Sequence, residues 1–306
     1  MKLFSIPNLI TLGNLFCGCI AIVFAFEGNL VWSAYLVGIA CVLDFLDGFA
    51  ARMLKINSPI GKDLDSLADM VTFGVVPGVV MYELFRRCMP LECGYHYELT
   101  SYTDFDMSHT IGMGNENLNA TDYTSFLRFI PYSAFIITIF SALRLAKFNV
   151  DKRQSESFIG LPTPANSIFL CSIPLILWFN HAGMSVMSRM EFGHNYSDLN
   201  YYEANGVQQW MMNETTEIFS SWKVLLGIVL IMSFLLISEI PLFSLKFKKF
   251  GWKGSEIRFV FLALCLVMIV LLKFIALPLI IVLYILMSIG NNIARVRSEG
   301  EKRKVE

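Results

Sequence analysis

The sequence has little charge: only 16% of its 306 residues are Asp, Glu, Lys or Arg, whereas 55% are apolar. A soluble domain carries about 25% charged residues, so this chain has too few polar side chains to cover a globule in water. The same deficit excludes a disordered chain and a coiled coil. The 7 cysteines form no CxxC pair, which argues against a zinc ribbon or a redox motif. The composition therefore predicts an integral membrane protein.

Long apolar segments are abundant instead. A hydrocarbon core about 30 Å thick needs roughly 20 apolar residues per helix. Candidate segments lie at about 9–27, 31–53, 64–87, 128–148, 163–181, 222–240, 257–273 and 274–291. We interpret the first as a retained helix, because no small-residue cleavage site follows it, and expect the last two to form a hairpin broken near Lys273 and Pro278. The predicted fold is all-α: a polytopic transmembrane bundle of about eight helices.

Basic residues are absent from residues 88–127, which carry six acids, and residues 182–221 hold one base and five acids. Residues 246–258 and the tail 295–306 hold five bases each. Loops rich in Lys and Arg stay in the cytoplasm. We therefore expect both termini inside, the two acidic loops outside, and a protein of the inner cell membrane.

The chain divides into two predicted units. A membrane core, 1–240, includes the two acidic outer loops. The second unit, 241–306, comprises a basic cytoplasmic loop, the helical hairpin and the basic tail. Cys88 and Cys93 lie close together in sequence, so a disulfide and two free thiols are equally open alternatives.

Four aspartates fall within or beside the second and third apolar segments. The residues of the first face are spaced i, i+3, i+4, i+7 and i+8, and they are Asp44, Asp47, Gly48, Ala51 and Arg52. On the next helix Gly61, Asp65 and Asp69 step by four, whereas Asp63 lies off their face. Because the connection is short, the two helices are expected to be antiparallel neighbours whose acidic faces meet.

Four carboxylates in a bilayer need a compensating charge. Each costs about 2.5–3.5 kcal/mol by insertion scales, and the total of about 10 kcal/mol rivals the net stability of a domain. Carboxylate oxygens suit Mg²⁺ or Mn²⁺, and two such ions would leave open positions for phosphate oxygens. Gly48, Ala51 and Gly61 would let a bulky ligand approach the helix backbones. Simple pairing with a neighbour such as Arg52 is the disfavoured alternative.

The pattern D-x₂-D-G-x₂-A-R-x₈-G-x₃-D-x₃-D resembles the signature of the CDP-alcohol phosphotransferase family without a mismatch. Members are helical membrane enzymes with a six-helix core that displace CMP from a CDP-linked donor with an alcohol. The implied ligands of two divalent metals are Asp44, Asp47, Asp65 and Asp69. The implied lining of the CDP pocket is Gly48, Ala51 and Arg52, with Gly61 across the gap. The resemblance also implies that Asp69 is the base that activates the acceptor hydroxyl.

Residues 6–18, 144–149 and 158–166 resemble the phosphatidylserine synthase branch of this family. The resemblance implies CDP-diacylglycerol and L-serine as substrates, membrane lipids as surroundings, a homodimer and no nucleic-acid partner. Asn8 and Thr11 are expected to face the cytidine, with ordinary helix capping as an equally open alternative.

Arg144 and Lys147 are candidate ligands for the acceptor or for a lipid phosphate. Membrane-end arginines also commonly snorkel to lipid headgroups, so a substrate role and a headgroup contact are equally open for Arg144. Lys147 stands where the branch usually has a second arginine, and it cannot reproduce bidentate arginine geometry.

The sequence is less compatible with three other functions. Glycerol 3-phosphate or inositol phosphate as acceptor would call for a further Arg/Lys cluster, which the sequence offers poorly. A divalent-cation transporter would place its acids near the midplane of the bilayer and repeat them in the second half of the chain, and this sequence does neither. A catalytically inactive scaffold is disfavoured by the intact set of signature residues.

Overall fold

A computed structural model of the chain describes residues 5–55, 59–92, 129–150, 158–179, 214–242 and 256–302. Its helices are α1 (Ile6–Phe26), α2 (Leu30–Leu54), α3 (Pro59–Asp69), α4 (Val76–Glu92), α5 (Ile136–Val150), α6 (Thr163–Phe179), α7 (Glu214–Ser220), α8 (Trp222–Ile237), α9 (Glu256–Leu272) and α10 (Ala276–Lys302). A π-helical segment, Met70–Val75, joins α3 to α4, and 3₁₀ turns, Ile130–Phe135 and Lys273–Ile275, precede α5 and α10. Strands β1 (Phe158–Ile159) and β2 (Pro241–Leu242) pair antiparallel.

The predicted all-α membrane bundle is confirmed. Five helical stretches in the described residues are long and apolar enough to cross a membrane: Ile6–Phe26, Leu30–Leu54, Ile60–Cys88, Ile130–Val150 and Ile257–Ile293. Helices α7 and α8, which meet at an angle of 78°, make a sixth if they count as one span. Helix α6 is apolar but shorter.

The last of these stretches is a hairpin. It covers 37 residues, yet the rings of Phe261 and Tyr284 lie with their centroids 5.7 Å apart. A straight helix would separate these residues by roughly 35 Å at about 1.5 Å per residue, so the chain must reverse between them. Lys273, with a left-handed φ of 51°, marks the reversal. The predicted break near Lys273 is confirmed, and the bundle then has eight apolar helical segments in the described residues.

Several predictions fall outside the described residues. Cys93 lies there, as do most of both acidic outer loops and most of the basic stretch 246–258. The expected orientation and the division at residue 240 stay predictions. Across that division, β2 pairs with β1 of the predicted core.

Helix α1 buries its small and polar residues and exposes its large apolar ones. Its buried face consists of Pro7, Asn8, Thr11, Asn14, Gly18, Ala21 and Ala25. Leu9, Phe16 and Val23 are exposed on the other side, where they would meet lipid. Small residues let helix backbones approach closely in a membrane, and α1 accordingly packs along α2.

Close contact with α1 also holds the π-helical segment. The Thr72 hydroxyl donates to the Asn14 carbonyl at 3.2 Å, and a Cβ on Gly18 would collide with Thr72. From the other side, Thr138 Oγ1 donates to the Gly74 carbonyl at 3.0 Å. A π turn often marks a functional site, and this one directly follows Asp69.

The strand pair fixes the start of α6. Gly160 N–H donates to Ile240 O at 3.0 Å. Gly160 has a φ of 78°, and a Cβ there would lie 2.8 Å from Leu236 O, so only glycine fits. The Asn292 amide of α10 donates to Pro241 O. The C-terminal helix is thus tied to the segment that leads into α6.

Candidate active site

The acidic faces of α2 and α3 meet, as the sequence predicts. One carboxylate oxygen each from Asp44, Asp47 and Asp65 lies within 4.8 Å of the other two. Asp47 is only 6% exposed, whereas Asp44 and Asp65 are half-buried. Among the described residues no Lys or Arg forms an ion pair with any of these three carboxylates, so their charge has no protein counter-ion in direct contact.

Thr11 orients one of these carboxylates. Its hydroxyl lies 2.6 Å from Asp47 Oδ2 and 3.1 Å from the Pro7 carbonyl. Ser5 is the N-cap of α1, and its hydroxyl accepts from Asn8 N–H at 3.4 Å. Helix capping by Thr11 is therefore not what the structure contains. Instead, Thr11 joins α1 to the acidic cluster.

Asp69 lies beside the cluster of three. Asn14 Nδ2 donates to Asp69 Oδ1 at 3.5 Å, and the Asp69 and Asp44 side chains interact with each other. Asn14 is fully buried, and it belongs to a stretch in which the sequence pointed only to Asn8 and Thr11. The spacing of Asn14 three residues after Thr11, which puts it on the helix face of Asn8 and Thr11, is the signal that would have found it.

Arg144 is the only buried basic side chain among the described residues, with 8% exposure. It interacts electrostatically with Asp69 and Asp44, and its Nη1 donates to Thr163 Oγ1 at 3.3 Å. The guanidinium also lies 5.1 Å from the ring centroid of Phe148. Arg144 therefore faces the acidic cluster rather than a surrounding layer of headgroups.

One of the predicted CDP-binding residues, Gly48, has open space beside it on α2. A Cβ on Gly48 would meet only the Arg52 Nη1 atom, at 3.8 Å. Ala51 and Gly61 are half-buried, and Arg52 is exposed. Asn8, by contrast, is 3% exposed. This arrangement leaves room beside Gly48 for a ligand that approaches the helix backbone.

Lys147 takes part in a different interaction. Its Nζ lies 3.2 Å from Glu239 Oε1, in an ion pair whose side chains are 39% and 71% exposed. Glu239 lies two residues before β2. The pair thus links α5 to the chain after α8, and the described structure does not bring Lys147 into the acidic cluster.

The donor set fits a divalent metal. It consists of hard carboxylate oxygens drawn from two helices, close enough to share an ion. Gly48 leaves the approach open on one side, and Thr11 supplies the kind of outer hydrogen bond that orients a ligating carboxylate. Asp44, Asp47 and Asp65 would hold the ion, and Asp69 stands next to them.

Comparison with known proteins points to one family. The profile of the CDP-alcohol phosphatidyltransferase family matches residues 4–97, which include all four aspartates. The CDP-diacylglycerol–serine O-phosphatidyltransferase of Bacillus subtilis is 30% identical over 196 residues, which cover 62% of this chain and 90% of the relative. The protein of the same name from Helicobacter pylori strain 26695 is 28% identical over 267 residues, covering 87% and 83%. That of Methanocaldococcus jannaschii is 28% identical over 169 residues, covering 55% and 60%.

Proposed function

The chain belongs to the CDP-alcohol phosphatidyltransferase family, and from this premise we propose that it transfers the phosphatidyl group of CDP-diacylglycerol to L-serine, giving phosphatidylserine and CMP. The observation that carries the proposal is the cluster of Asp44, Asp47 and Asp65 with Asp69 and Arg144 beside it. The names of the relatives support the donor and the acceptor.

The reaction is a displacement at phosphorus. The serine hydroxyl oxygen attacks the phosphatidyl phosphorus, a new P–O bond forms, and the P–O bond to CMP breaks with its electron pair leaving on CMP. The Asp69 carboxylate takes the hydroxyl proton, since a positioned carboxylate can accept a proton in the transition state. Its hydrogen bond from Asn14 and its contact with Asp44 hold it at the edge of the cluster.

Mg²⁺ or Mn²⁺ would be bound by Asp44, Asp47 and Asp65. Binding of two ions would require Asp69 as a further ligand. When bound, such ions neutralise the pyrophosphate and stabilise both the attacking and the leaving oxygen. Thr11 keeps Asp47 oriented. Gly48 leaves space for the CDP moiety, which Ala51 and Gly61 would line, with the exposed Arg52 at its edge.

Arg144 is suited to the acceptor carboxylate. It is a buried cation next to the proposed base, and a guanidinium pairs with a carboxylate through two parallel hydrogen bonds. A phosphate-bearing acceptor would need more positive charge than Arg144, the one buried arginine among the described residues, supplies. Serine therefore suits the site better than glycerol 3-phosphate or inositol phosphate.

The position of the cluster argues for an enzyme rather than a transporter. Asp44 and Asp47 lie in the C-terminal half of α2, and Asp65 lies near the start of the Ile60–Cys88 stretch, whereas transporters bind ions near the midplane. Arg52, Lys55 and Lys62 flank the α2–α3 connection, and these basic residues favour a cytoplasmic site in the inner cell membrane. That location lets a lipid donor meet a water-soluble acceptor.

The test is product formation by the purified protein. CDP-diacylglycerol, labelled L-serine and Mn²⁺ or Mg²⁺ should give labelled phosphatidylserine and an equal amount of CMP. Asp69→Asn should lower the rate by about 10²–10⁴-fold, the usual contribution of a general base. Asp63→Asn, the same change on an exposed residue of α3, should leave the rate unchanged. CMP release only with another alcohol would refute the serine assignment, and no CMP release with any alcohol would refute the enzyme.

A further inference from the structure

Asn166 is a fully buried amide without a hydrogen-bond partner in the described residues. Its exposure is 0%, and neither Nδ2 nor Oδ1 is bonded. Buried polar groups almost always have partners, and an unpaired one lowers stability because it loses its bonds to water. Two such atoms on one side chain indicate that something other than the chain itself satisfies them.

The amide lies one helical turn from the Arg144 contact. Thr163, which accepts from Arg144 Nη1 at 3.3 Å, precedes Asn166 by three residues on α6, so the two share a face. Helix α6 packs against α2 and against the π-helical segment after Asp69. Asn166 therefore lies on the face of α6 that contacts Arg144, one turn from that contact.

Other unused hydrogen-bonding atoms lie on the helices that carry Arg144 and the partner of Asp69. Asn14 Oδ1 and Ser141 Oγ are buried and without partners in the described residues. Asn14 donates to Asp69 through its other amide atom, and Ser141 lies three residues before Arg144 on α5. Three helices that contact Asp69 or Arg144 thus each carry buried polar atoms without partners in the described residues. A ligand with both hydrogen-bond donors and acceptors would satisfy them.

Given the proposed function, on which this step rests, we infer that Asn166 contacts the amino-acid end of the acceptor and determines its specificity. Nδ2 donates to the acceptor carboxylate beside Arg144, and Oδ1 accepts from the acceptor ammonium. An α-amino acid offers both groups on one carbon, and a single amide pairs with both. An alcohol that lacks either group leaves the amide unpaired, which is how buried polar groups reject analogues.

The test compares Asn166→Ala and Asn166→Leu with the wild type. Both variants should raise the KM for L-serine by at least about 10-fold, the effect of losing hydrogen bonds to a charged group. The KM for CDP-diacylglycerol should stay the same, and the preference for serine over ethanolamine should fall. The matched control is Ser33→Ala, because Ser33 is equally buried with an unpaired Oγ but lies about three turns from Asp44 on α2.

A second readout does not depend on turnover. L-serine added to protein that holds Mn²⁺ and CDP should raise the melting temperature of the wild type and of Ser33→Ala, but not of the Asn166 variants. Mn²⁺ and CDP alone should still stabilise those variants, and without ligands they should melt no lower than the wild type.

Two results would overturn the inference. One is an unchanged serine KM together with a large drop in the unliganded melting temperature, which would mean that the amide is structural. The other is a wild type in which serine causes no thermal shift. If the wild type forms no phosphatidylserine yet shows a serine shift that the Asn166 variants lose, the proposed function fails and the contact stands.

Discussion

The two halves of the α1–α2 pair use one continuous buried face in different ways. In the half near the start of α1, which we call the polar half, the buried side chains are Asn8, Thr11 and Asn14, with Asp47 on α2. In the other half, the small-residue half, they include Gly18, Ala21 and Ala25, with Ser33, Ala34, Val37 and Ala40 on α2. The small-residue half gains from close packing alone. The polar half packs less closely and instead places polar groups where a ligand can bind them. Substitutions in the polar half should therefore change activity, whereas substitutions in the small-residue half should change stability.

The largest effect is expected from a ligand carboxylate of the polar half. Asp47→Asn removes one charge from the cluster, and we expect the rate of CMP release to fall by at least about 100-fold, since the charge stabilisation by the ion is weakened. The melting temperature without metal should not fall, because the repulsion from Asp44 and Asp65 also weakens. The rate of CMP release and the melting temperature are both measured for this variant. A large drop in melting temperature would make Asp47 a structural residue and would remove the contrast between the halves.

The hydrogen bond to Asp47 should have the next largest effect. Thr11→Val removes the 2.6 Å bond at nearly constant volume, whereas Thr11→Ser keeps it. The Mn²⁺ concentration for half-maximal activity should rise by about 10–100-fold in the valine variant, as for other outer-shell partners of metal ligands. The serine variant should stay near the wild type. Equal Mn²⁺ requirements in both variants would contradict a role for this bond.

The small-residue half should respond in stability. Ala21 is fully buried, so Ala21→Leu overpacks the buried face of α1 and should lower the free energy of unfolding by about 1–3 kcal/mol. The serine KM of the protein that remains folded should not change. Val23→Leu is the control on the same helix, because Val23 is 54% exposed. A changed serine KM with normal stability would mean that the site extends into this half.

The smallest effect is expected at Lys147. Exposed ion pairs contribute about 0–1 kcal/mol, so Lys147→Met should change both the melting temperature and the serine KM very little. Glu239→Gln should behave alike, since the two side chains form one pair. A serine KM raised more than about 10-fold in Lys147→Met alone, the size expected for a lost bond to a charged substrate group, would restore Lys147 as an acceptor ligand.

The meeting of the acidic faces was predictable because it depends on local rules. Helical spacing aligns Asp44 with Asp47 and Asp65 with Asp69, and a short connection makes the two helices neighbours. The hairpin at Lys273 was predictable for a similar reason, since a charged residue interrupts an apolar stretch too long for one span.

The features that the sequence did not predict depend on how the helices pack against one another. The bond from Thr11 to Asp47 requires the register of α1 on α2, which depends on how the two helices pack along each other. No sequence pattern predicts the π-helical turn after Asp69, because contacts with α1 and α5 hold it in this conformation. Asn166 is similar: its burial and its lack of partners follow from the arrangement of α2, α5 and α6.

Anomalous scattering from crystals grown with Mn²⁺ and CDP tests most directly whether the polar half is a metal-dependent phosphate site. We expect manganese peaks among the carboxylates of Asp44, Asp47 and Asp65, within about 2.0–2.6 Å of their oxygens. The pyrophosphate of CDP should complete the coordination beside Gly48. A crystal with bound CDP and no manganese at these carboxylates would contradict it.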